Sequence, residues 1–568
     1  MAITLSGSYL EKLLEGTNTP NTVLEVALDS GTVKWGHYNS DSAQTVYLAD
    51  GTYYANGSIY ATGSIGLAGY GITAILKTAS SLQNRLDAKT GYTTRGQLTA
   101  TIIGRDNFKS LIASNYLKNR RVNRKDGFLG MDYSDYAATF TGIITDWKRK
   151  GDELTLTISD DMVEADKKIP LETEAKTQYI DYTNSNPVDV MTNILLTQLG
   201  IASGLVNSTQ FTSERDNWLN GWKVSRVLTE PKSASDYLHE LQEETNSFLV
   251  HDGEKISFKV FAPPLPTTSV QGWNDNEHIL DGSLSTDSGY KDAFYNRVVV
   301  YYDYDESGSD KEENFEAAVI DSDTVSQGSA VWDEVKTKVI KSKWVRTYTF
   351  SHDSIAGLKP YHASENNGAG AGTITYTYDA GGQHTLKWTP PGGTIGEAVT
   401  ISKDGKYQVF GADKTKYIRV LVTTASLPGA SDTGALTLTA INGASFATFL
   451  ARKILNRFRD PAASVKFQVG INNVAYGSAF LKPTDLIDLT TDEAFEYGEE
   501  GWAGERIMLT SVRPDVEKGV VDIEGLETKQ YKVYGFIAPA GQANYGTATA
   551  TEKLRAYIRT AAPQYHIW

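Results

Sequence analysis

Apolar residues recur at intervals of three and four between positions 446 and 458, and this spacing predicts an amphipathic helix. They are Phe446, Phe449, Leu450, Ile454, Leu455 and Phe458, and the pattern stops before Asp460-Pro461. Downstream, apolar and acidic residues alternate from Val521 to Glu524, which is typical of a strand with one buried face. The pattern therefore predicts a helix followed by a β-hairpin over residues 506–526.

A similar hairpin is predicted over residues 140–161, where Leu154, Leu156 and Ile158 alternate with Thr155, Thr157 and Ser159. It ends a first unit in which a short helix at Tyr9–Leu14 leads into a strand at residues 22–28 and then into short aromatic strands separated by turns. The order of strand, turn and strand is the same in both hairpins. The pattern thus predicts two comparable β units in one chain.

Residues between these units predict a mixed α/β module. Pro187 is a helix-start signal, and the buried face of that helix is predicted to hold Val188, Met191, Ile194 and Leu195. A second helix follows Ser233, and Asp252-Gly253 predicts the turn of a hairpin. The return strand alternates Ile256, Phe258 and Val260 with polar residues.

A strongly apolar strand at residues 296–304 is predicted to open the second β unit, with residues 332–350 continuing it. The rest of that unit begins only near residue 443. Between them, six short alternating runs predict a compact inserted β-sandwich preceded by a glycine hinge at Gly368, Gly370 and Gly372. The runs are Thr373–Tyr378, His384–Trp388, Ala398–Ser402, Tyr407–Phe410, Tyr417–Val422 and Ala435–Thr439.

Composition narrows the class of protein. A chain of 568 residues predicts three to five units at roughly 100–200 residues each, mostly of β architecture. The net charge of −15 argues against general nucleic-acid binding. It suits a conduit along which DNA slides without adhering, although most acidic proteins are simply soluble. The sequence contains no cysteine, which excludes disulfides and thiol chemistry. No signal peptide or membrane span is recognised, so synthesis in the cytoplasm is expected.

The helix, the segment LKPTDLIDLTT and the closing hairpin resemble the closing β-barrel domain of phage tail hub proteins. In that family a proline or glycine, an aspartate and an apolar residue precede a barrel strand, as Pro483, Asp485 and Leu486 do here. The helix and Asp-Gly hairpin between Ser233 and Val260 also resemble this family, in which such a unit lies between two barrels.

The resemblance implies a mainly β, multi-domain fold with two tail-tube-like barrels, an α/β module and an inserted sandwich. The predicted boundaries are 1–165 for the first hub barrel, 175–290 for the α/β module, 291–352 with 443–528 for the second barrel, 366–442 for the sandwich, and 529–568 for a C-terminal tail that docks on a neighbouring subunit.

The resemblance also implies a place and partners. A homo-trimer would present six barrels to the six-fold tail tube, or to a ring of distal tail protein, at the distal end of the virion's tail. It would hold a central fibre or spike and enclose the DNA channel, with the tape measure protein as a further expected partner. The expected role is structural, with no enzymatic activity, catalytic residue, cofactor or metal.

Two charged stretches carry alternatives. Asp303, Asp305, Ser307 and Gly308 occupy the first, third, fifth and sixth places of an EF-hand-type calcium loop. The twelfth place is Asn314 where that loop needs glutamate, which favours a solvated acidic loop over residues 303–313. The basic run contains Lys118, Arg120, Arg121, Arg124 and Lys125. It predicts an exposed loop, with an arm that pairs with an acidic neighbouring ring as the alternative, and DNA binding is disfavoured.

Other candidate sites have structural explanations. Ser445 lies in an incomplete nucleophile-elbow pattern and is predicted to be a helix N-cap. The eight histidines have neither metal-ligand spacing nor a paired nucleophile. Tyr376, Tyr378, Trp388 and Tyr407 of the insertion are predicted to be core or sheet-surface residues, with stacking on sugars as the alternative.

Three rival functions remain from the sequence. The first is a distal tail adaptor that forms hexamers. The second is a receptor-binding or carbohydrate-binding tail protein in which the inserted sandwich contacts a host surface glycan. The third is a tail-associated hydrolase of polysaccharide or peptidoglycan, whose paired carboxylates a sequence does not reveal because their separation is spatial.

Overall fold

The computed structural model describes most of the chain. The described residues are 5–15, 19–38, 71–80, 86–87, 96–171, 179–262, 270–287, 294–305, 309–328, 331–351, 355–364, 370–423, 427–441, 443–476, 479–494, 500–515, 518–528, 547 and 549. Strands predominate, so the predicted mainly β, multi-domain class is confirmed. No helix in these ranges is long and apolar enough to cross a membrane.

The first β unit is a single eight-stranded sheet with two helices. Its helices are α1 (Gly7–Leu14) and α2 (Arg105–Ser114), and its strands are β1 (Pro20–Leu28), β2 (Gly31–Gly36), β3 (Ile72–Ala74), β4 (Leu76–Ala79), β5 (Gln97–Ile103), β6 (Arg121–Phe128), β7 (Ala137–Lys150) and β8 (Glu153–Ser159). The sheet order is β3-β2-β1-β6-β7-β8-β5-β4. The predicted alternation in β8 is correct, because Leu154, Leu156 and Ile158 are all fully buried. Phe108 of α2 packs into the same core.

The α/β module contains small sheets packed around three helices. Its elements are β9 (Lys168–Ile169), β10 (Ile180–Asp181), α3 (Pro187–Asn193), α4 (Ser208–Glu214), β11 (Val227–Leu228), β12 (Lys232–Ser233), α5 (Ala234–Thr245), β13 (Ser247–His251) and β14 (Ile256–Val260). Asn186 caps α3 through its side chain and Pro187 occupies the first turn, so the predicted helix start is correct. The predicted Asp252-Gly253 hairpin joins β13 to β14.

Five strands lie between the module and the sandwich, and they belong to two different sheets. They are β15 (Gln271–Asn274), β16 (Ser285–Asp287), β17 (Arg297–Tyr304), β18 (Phe315–Ser322) and β19 (Thr337–Lys341). The last three form a separate sheet in the order β18-β17-β19. The buried face of β17, with Val298, Val300 and Tyr302, shares a core with the α/β module.

The sandwich has eight strands rather than the six predicted. They are β20 (Tyr348–Ser351), β21 (Leu358–Ala363), β22 (Gly370–Tyr378), β23 (His384–Thr389), β24 (Val399–Ile401), β25 (Lys406–Phe410), β26 (Tyr417–Val422) and β27 (Asp432–Ala440). The sheet orders are β20-β27-β22-β23-β24 and β21-β26-β25, and one core joins them. The predicted hinge is wrong at Gly370 and Gly372, which lie inside β22, and Gly368 is outside the described residues.

The second β unit is a six-stranded sheet in the order β15-β31-β32-β33-β28-β16. It follows helix α6 (Gly443–Phe458) and contains β28 (Ser464–Gly470), β31 (Leu486–Thr491), β32 (Trp502–Asp515) and β33 (Val520–Glu527), while β29 (Ala475–Tyr476) and β30 (Ala479–Phe480) form a small hairpin. The predicted helix and the closing hairpin are both present. Helix α6 begins at Gly443, so Ser445 lies within its first turn and its predicted role as N-cap is wrong.

The prediction that residues 296–304 open the second barrel is wrong. Both sides of β17 are occupied by β18 and β19, and α6 packs against this sheet through the shared core. The six-stranded sheet instead takes β15 and β16 as its outer strands. These two are three or four residues long and have little apolar periodicity, so the sequence pattern did not indicate them.

Two glycines of the sandwich have a similar φ but differ in the space around them. Both have positive φ, +86° at Gly372 and +79° at Gly382. A Cβ atom on Gly372 would lie 2.0 Å from the carbonyl oxygen of Thr389, whereas one on Gly382 would have nothing within 4 Å. We expect Gly382→Ala to cost about 1–2 kcal/mol from the left-handed backbone alone. Gly372→Ala should cost at least about 2 kcal/mol more, because β22 and β23 must move apart.

Hydrogen-exchange mass spectrometry of residues 370–389 in the full chain checks this expectation. Loss of protection should be much larger for Gly372→Ala than for Gly382→Ala. Equal protection in the two variants would contradict the close approach of β22 and β23.

Candidate assembly surface

One four-strand arrangement occurs twice in the chain. Strands β5 to β8 are adjacent in the order β6-β7-β8-β5, and strands β28, β31, β32 and β33 are adjacent in the order β31-β32-β33-β28. In both groups the strand that comes first in the chain lies beyond the last one, and all neighbouring pairs are antiparallel. The two β units therefore share a topology, not only a hairpin.

The long strands β7 and β32 match in detail. Each has 14 residues, and each is interrupted by two β-bulges. The first bulge follows the second residue of the strand, Ala138 in β7 and Ala503 in β32. The second bulge follows the eighth residue, Ile144 in β7 and Leu509 in β32. Because a bulge bends a strand and increases its twist, the two units curve at corresponding points.

Each long strand changes its neighbours halfway along. The first half of β7 pairs with β6 up to Ile143, and the second half pairs with β8 from that residue on. In β32 the change occurs at Ile507 and Met508, from β31 to β33. Among the described residues, the second half of each strand thus has a strand neighbour on one side only. These half-paired strands are the main candidates for contact with other subunits.

The repetition ends outside the four strands. Strand β1 runs antiparallel to β6 in the first unit, whereas β15 runs parallel to β31 in the second. The four matched strands are therefore the part of the two units with a common construction.

The Asp252-Gly253 turn of the α/β module contacts both β units. The carbonyl oxygen of Gly253 accepts a hydrogen bond of 2.6 Å from the backbone N–H of Thr141 in β7. The carboxylate of Asp252 lies 3.4 Å from the ammonium of Lys482, which precedes β31. One tight turn therefore joins the first β unit to the second.

Buried charges lie beneath this turn. Nδ1 of His251 accepts the Gly253 N–H at 3.2 Å, and its Nε2 lies 3.7 Å from a carboxylate oxygen of Asp161. Asp161 also accepts two hydrogen bonds from the guanidinium of Arg121, at 2.7 and 3.2 Å. The neighbouring Asp160 accepts the backbone N–H groups of Gly96 and Met162. The cluster links β6 and the end of the first unit to β13 of the module.

The pKa values of this cluster follow from burial and charge. Burial lowers the pKa of His251, but Asp161, Asp160 and Asp252 raise it by more, so its pKa lies above the usual value. Burial raises the pKa of Asp161, yet His251 and Arg121 outweigh it and the pKa is lowered. Burial keeps the pKa of Asp160 above its usual range. The charges of Arg121, Asp160, Asp161 and His251 are thus electrostatically coupled and join the first β unit to the module. We call these four residues the lock.

The sandwich is attached to β17 through Asp305. This carboxylate accepts the hydroxyl of Tyr417 at 2.7 Å, is paired with the guanidinium of Arg419, and lies 3.3 Å from Nε2 of His362. Burial lowers the pKa of His362 to about 3, so this imidazole is neutral at physiological pH. Burial, and then the bond to Asp305, raise the pKa of Tyr417 to about 12.

Two of the four residues named for the calcium loop, Asp303 and Asp305, bind protein groups. Asp305 is bound by sandwich residues, and Asp303 accepts the backbone N–H and hydroxyl of Thr347. Ser307 and Gly308 are outside the described residues. No cluster of three or more potential metal ligands occurs in the described ranges. The two aspartates hold the sandwich and the β20 region in place.

The basic run lies partly in a turn and partly in strand β6. Arg121, Arg124 and Lys125 lie in strand β6, and Arg120 is paired with Asp29 just before it. Arg124 pairs with Asp126, and Lys125 lies 3.4 Å from Glu25. Both sequence predictions for this run, an exposed loop and an assembly arm, are wrong for Arg121, Arg124 and Lys125, whereas Lys118 lies in an exposed turn as the loop prediction has it. The charges of the three strand residues are neutralised inside the first β unit.

The aromatic residues of the insertion mostly form its core. Tyr376 and Trp388 are fully buried, whereas Tyr378 is 37% exposed and packs beside His384. The predicted core role is correct for Tyr376 and Trp388, and neither presents a face for stacking on a sugar.

The sequence pattern missed the residues of the lock. Asp160 and Asp161 follow a strand of regular alternation, and His251 precedes the Asp-Gly turn, but single polar residues at strand ends are also common in loops. Pairing across sequence separations of this size has no local signal. The bulges of β7 and β32 were equally invisible, because they depend on register and not on residue type.

Comparisons with known proteins give only distant similarities. No protein-family model matches the chain, and no curated protein is similar to it in sequence. The 43 kDa tail protein of prophage MuSo2 from Shewanella oneidensis is similar in structure, with a TM-score of 0.38 and 8% identity, over 80% of this chain and 98% of that one. A chain of the virion of a native gene transfer agent particle has a TM-score of 0.19 and 10% identity, over 80% and 91%. At these scores neither similarity carries an argument about function.

The lock can be tested with two adjacent arginines. Arg121→Met leaves the buried carboxylate of Asp161 without its guanidinium, whereas Arg120→Met removes a pair with the exposed Asp29. We expect Arg121→Met to lower the free energy of unfolding. Because the Arg121 side chain is itself 35% exposed, the decrease should lie between about 1 kcal/mol, typical of surface pairs, and about 3–5 kcal/mol, typical of buried pairs. Arg120→Met should cost at most about 1 kcal/mol.

Denaturant unfolding measures the loss, and limited proteolysis between the first β unit and the module reports whether the domains separate. If the two variants are equally stable and equally resistant to protease, Asp161 does not form part of a lock.

Proposed function

We propose that this chain is a structural protein of a phage tail and that it forms the hub of the tail tip. The observation that carries the proposal is the repeated four-strand unit with bulges at matching positions in β7 and β32. A ring of three such chains presents six similar units. It can therefore contact a six-fold ring on one side while keeping three-fold symmetry on the other.

The acidic charge supports a position around the DNA channel. The net charge is −15, and the arginines of β6 are neutralised by carboxylates within the same unit. An acidic surface repels phosphates, which favours passage of DNA over binding. A location in the virion at the distal end of the tail belongs to this proposal.

The proposal includes no enzymatic role. The buried His251 and its neighbouring carboxylates are engaged with Arg121, Lys482 and backbone groups, so they hold domains together. The units of the module and the sandwich would extend from the ring to hold a central fibre or spike, with the tape measure protein as a further partner. Contact of the sandwich with a host glycan gains no support from Tyr376 and Trp388, which are in its core.

The number of chains in the assembled particle tests the hub directly. We expect native mass spectrometry of the purified protein, or of the protein bound to its tail ring, to give three copies. Electron microscopy should show six similar β units around the channel, with the first and second units of the three chains alternating. Six copies of the chain would favour the distal tail adaptor, and a particle in which only one β unit of each chain lines the ring would refute the proposal.

The C-terminal segment gives a second test. Residues 529–568, the predicted docking tail, lie outside the described residues except for Thr547 and Thr549. We expect deletion of residues 538–568 to leave the fold intact, because β33 ends at Glu527, and to abolish the trimer. Thermal unfolding checks the fold and native mass spectrometry the assembly. A truncated chain that still forms trimers would show that the tail is dispensable.

A further inference from the structure

Helix α6 carries two cationic side chains on its buried face. Lys453 is 5% exposed and Arg457, one turn further along, is 3% exposed. They lie on the face that packs against the α/β module, among Phe446, Leu450 and Ile454. A buried charge is strongly unfavourable unless hydrogen bonds and an opposite charge compensate it.

The guanidinium of Arg457 is held by aromatic rings and one long hydrogen bond. Its Cζ lies 3.4 Å from the centre of the Phe261 ring and 4.7 Å from that of Phe458. Its Nη1 donates to Oδ1 of Asn246 at 3.5 Å. The rings fix the plane of the guanidinium, and the hydrogen bond to Asn246 occupies its Nη1 atom.

The opposite edge of the guanidinium has no acceptor among the residues that the structure describes. Within these residues, Nε and Nη2 of Arg457 are both buried and lack a hydrogen-bond partner, as does Nδ2 of Asn246. Nε–H and one Nη2–H point in the same direction, so they form the fork with which arginine binds a carboxylate or another anion in bidentate fashion. A pre-oriented, desolvated fork next to a second cation is a built anion site.

Burial and charge both act on the two cations of α6. Burial lowers the pKa of Arg457 to about 9, and the negative charge of Asp87 acts in the opposite direction. Burial, and then the charge of Arg457, lower the pKa of Lys453 to about 7, while Glu214 acts in the opposite direction. Glu214 itself accepts from Lys259 and from the backbone N–H of Val260. An added anion at the fork would be attracted by both cations.

We propose that the Nε and Nη2 fork of Arg457 binds a small monovalent anion of halide size, such as chloride, which fastens α6 to the α/β module. The site does not depend on the proposed hub function. A buried water molecule is the competing occupant, because it also accepts hydrogen bonds but carries no charge.

Thermal unfolding of the full chain distinguishes these occupants. Bromide is the probe, raised from about 10 to about 500 mM with gluconate as the reference salt at equal ionic strength. We expect the unfolding midpoint of the natural chain to rise by about 2–4 °C more in bromide than in gluconate. Arg457→Met should lose this difference. Arg459→Met, a matched change at a side chain that is 49% exposed, should keep it.

Asp87→Asn provides a further arm. If an anion is bound, removing the carboxylate weakens the competing negative charge, and the bromide effect should increase. An unchanged or smaller bromide effect in Asp87→Asn would instead indicate that Asp87 compensates Arg457 through water, and it would overturn the proposal.

Crystals grown or soaked in bromide locate the anion without any substitution. An anomalous peak is expected within hydrogen-bonding distance of both Nε and Nη2 of Arg457. Density there with no anomalous signal would identify a water molecule, and the anion site would be refuted. Bromide peaks confined to the surface would have the same meaning.

Discussion

The backbone hydrogen bonds of β7 and β32 constrain the whole arrangement. Each strand has 14 residues and pairs with one neighbour along its first half and with another along its second half. Its direction must therefore change where the neighbours change. The bulges after Ile144 and Leu509 accomplish this in the two units. The bulge positions therefore define the curvature of each sheet, the place where β8 and β33 begin to pair, and the edge that is left for other subunits.

The module between the units depends on these strands for its anchorage. Its Asp252-Gly253 turn can reach Thr141 because that residue lies in the first half of β7, and it reaches Lys482 just before the strand that pairs with β32. The first contact lies within the long strand of the first unit, and the second lies just before the strand that pairs with the long strand of the second unit. A single turn thus contacts both copies of the repeated structure. Helix α6 also packs against the module, where the ring centres of Trp222 and Phe446 lie 4.1 Å apart.

Elements with regular periodicity could be predicted from the sequence, whereas elements defined by distant partners could not. The faces of α6 and β8 and the core strands of the sandwich followed from spacing alone. Strand β17 was assigned to the wrong sheet because its apolar run indicates burial but not the identity of the neighbour. The burial of Lys453 and Arg457 was not predicted, because a lysine or arginine on an apolar helix face usually extends its charged group to solvent. Pairs such as His251 and Asp161 join residues too far apart in sequence for any local rule.

The ends of the sandwich are paired with each other. Its first and last strands, β20 and β27, run antiparallel with Tyr348 opposite Ala440, so the chain enters and leaves at one point. A domain attached in this way can be lost, gained or replaced by recombination without changing the path of β17 or the start of α6. In evolutionary terms the sandwich is an insertion that can be exchanged as a unit, because its two connections to the rest of the chain lie side by side.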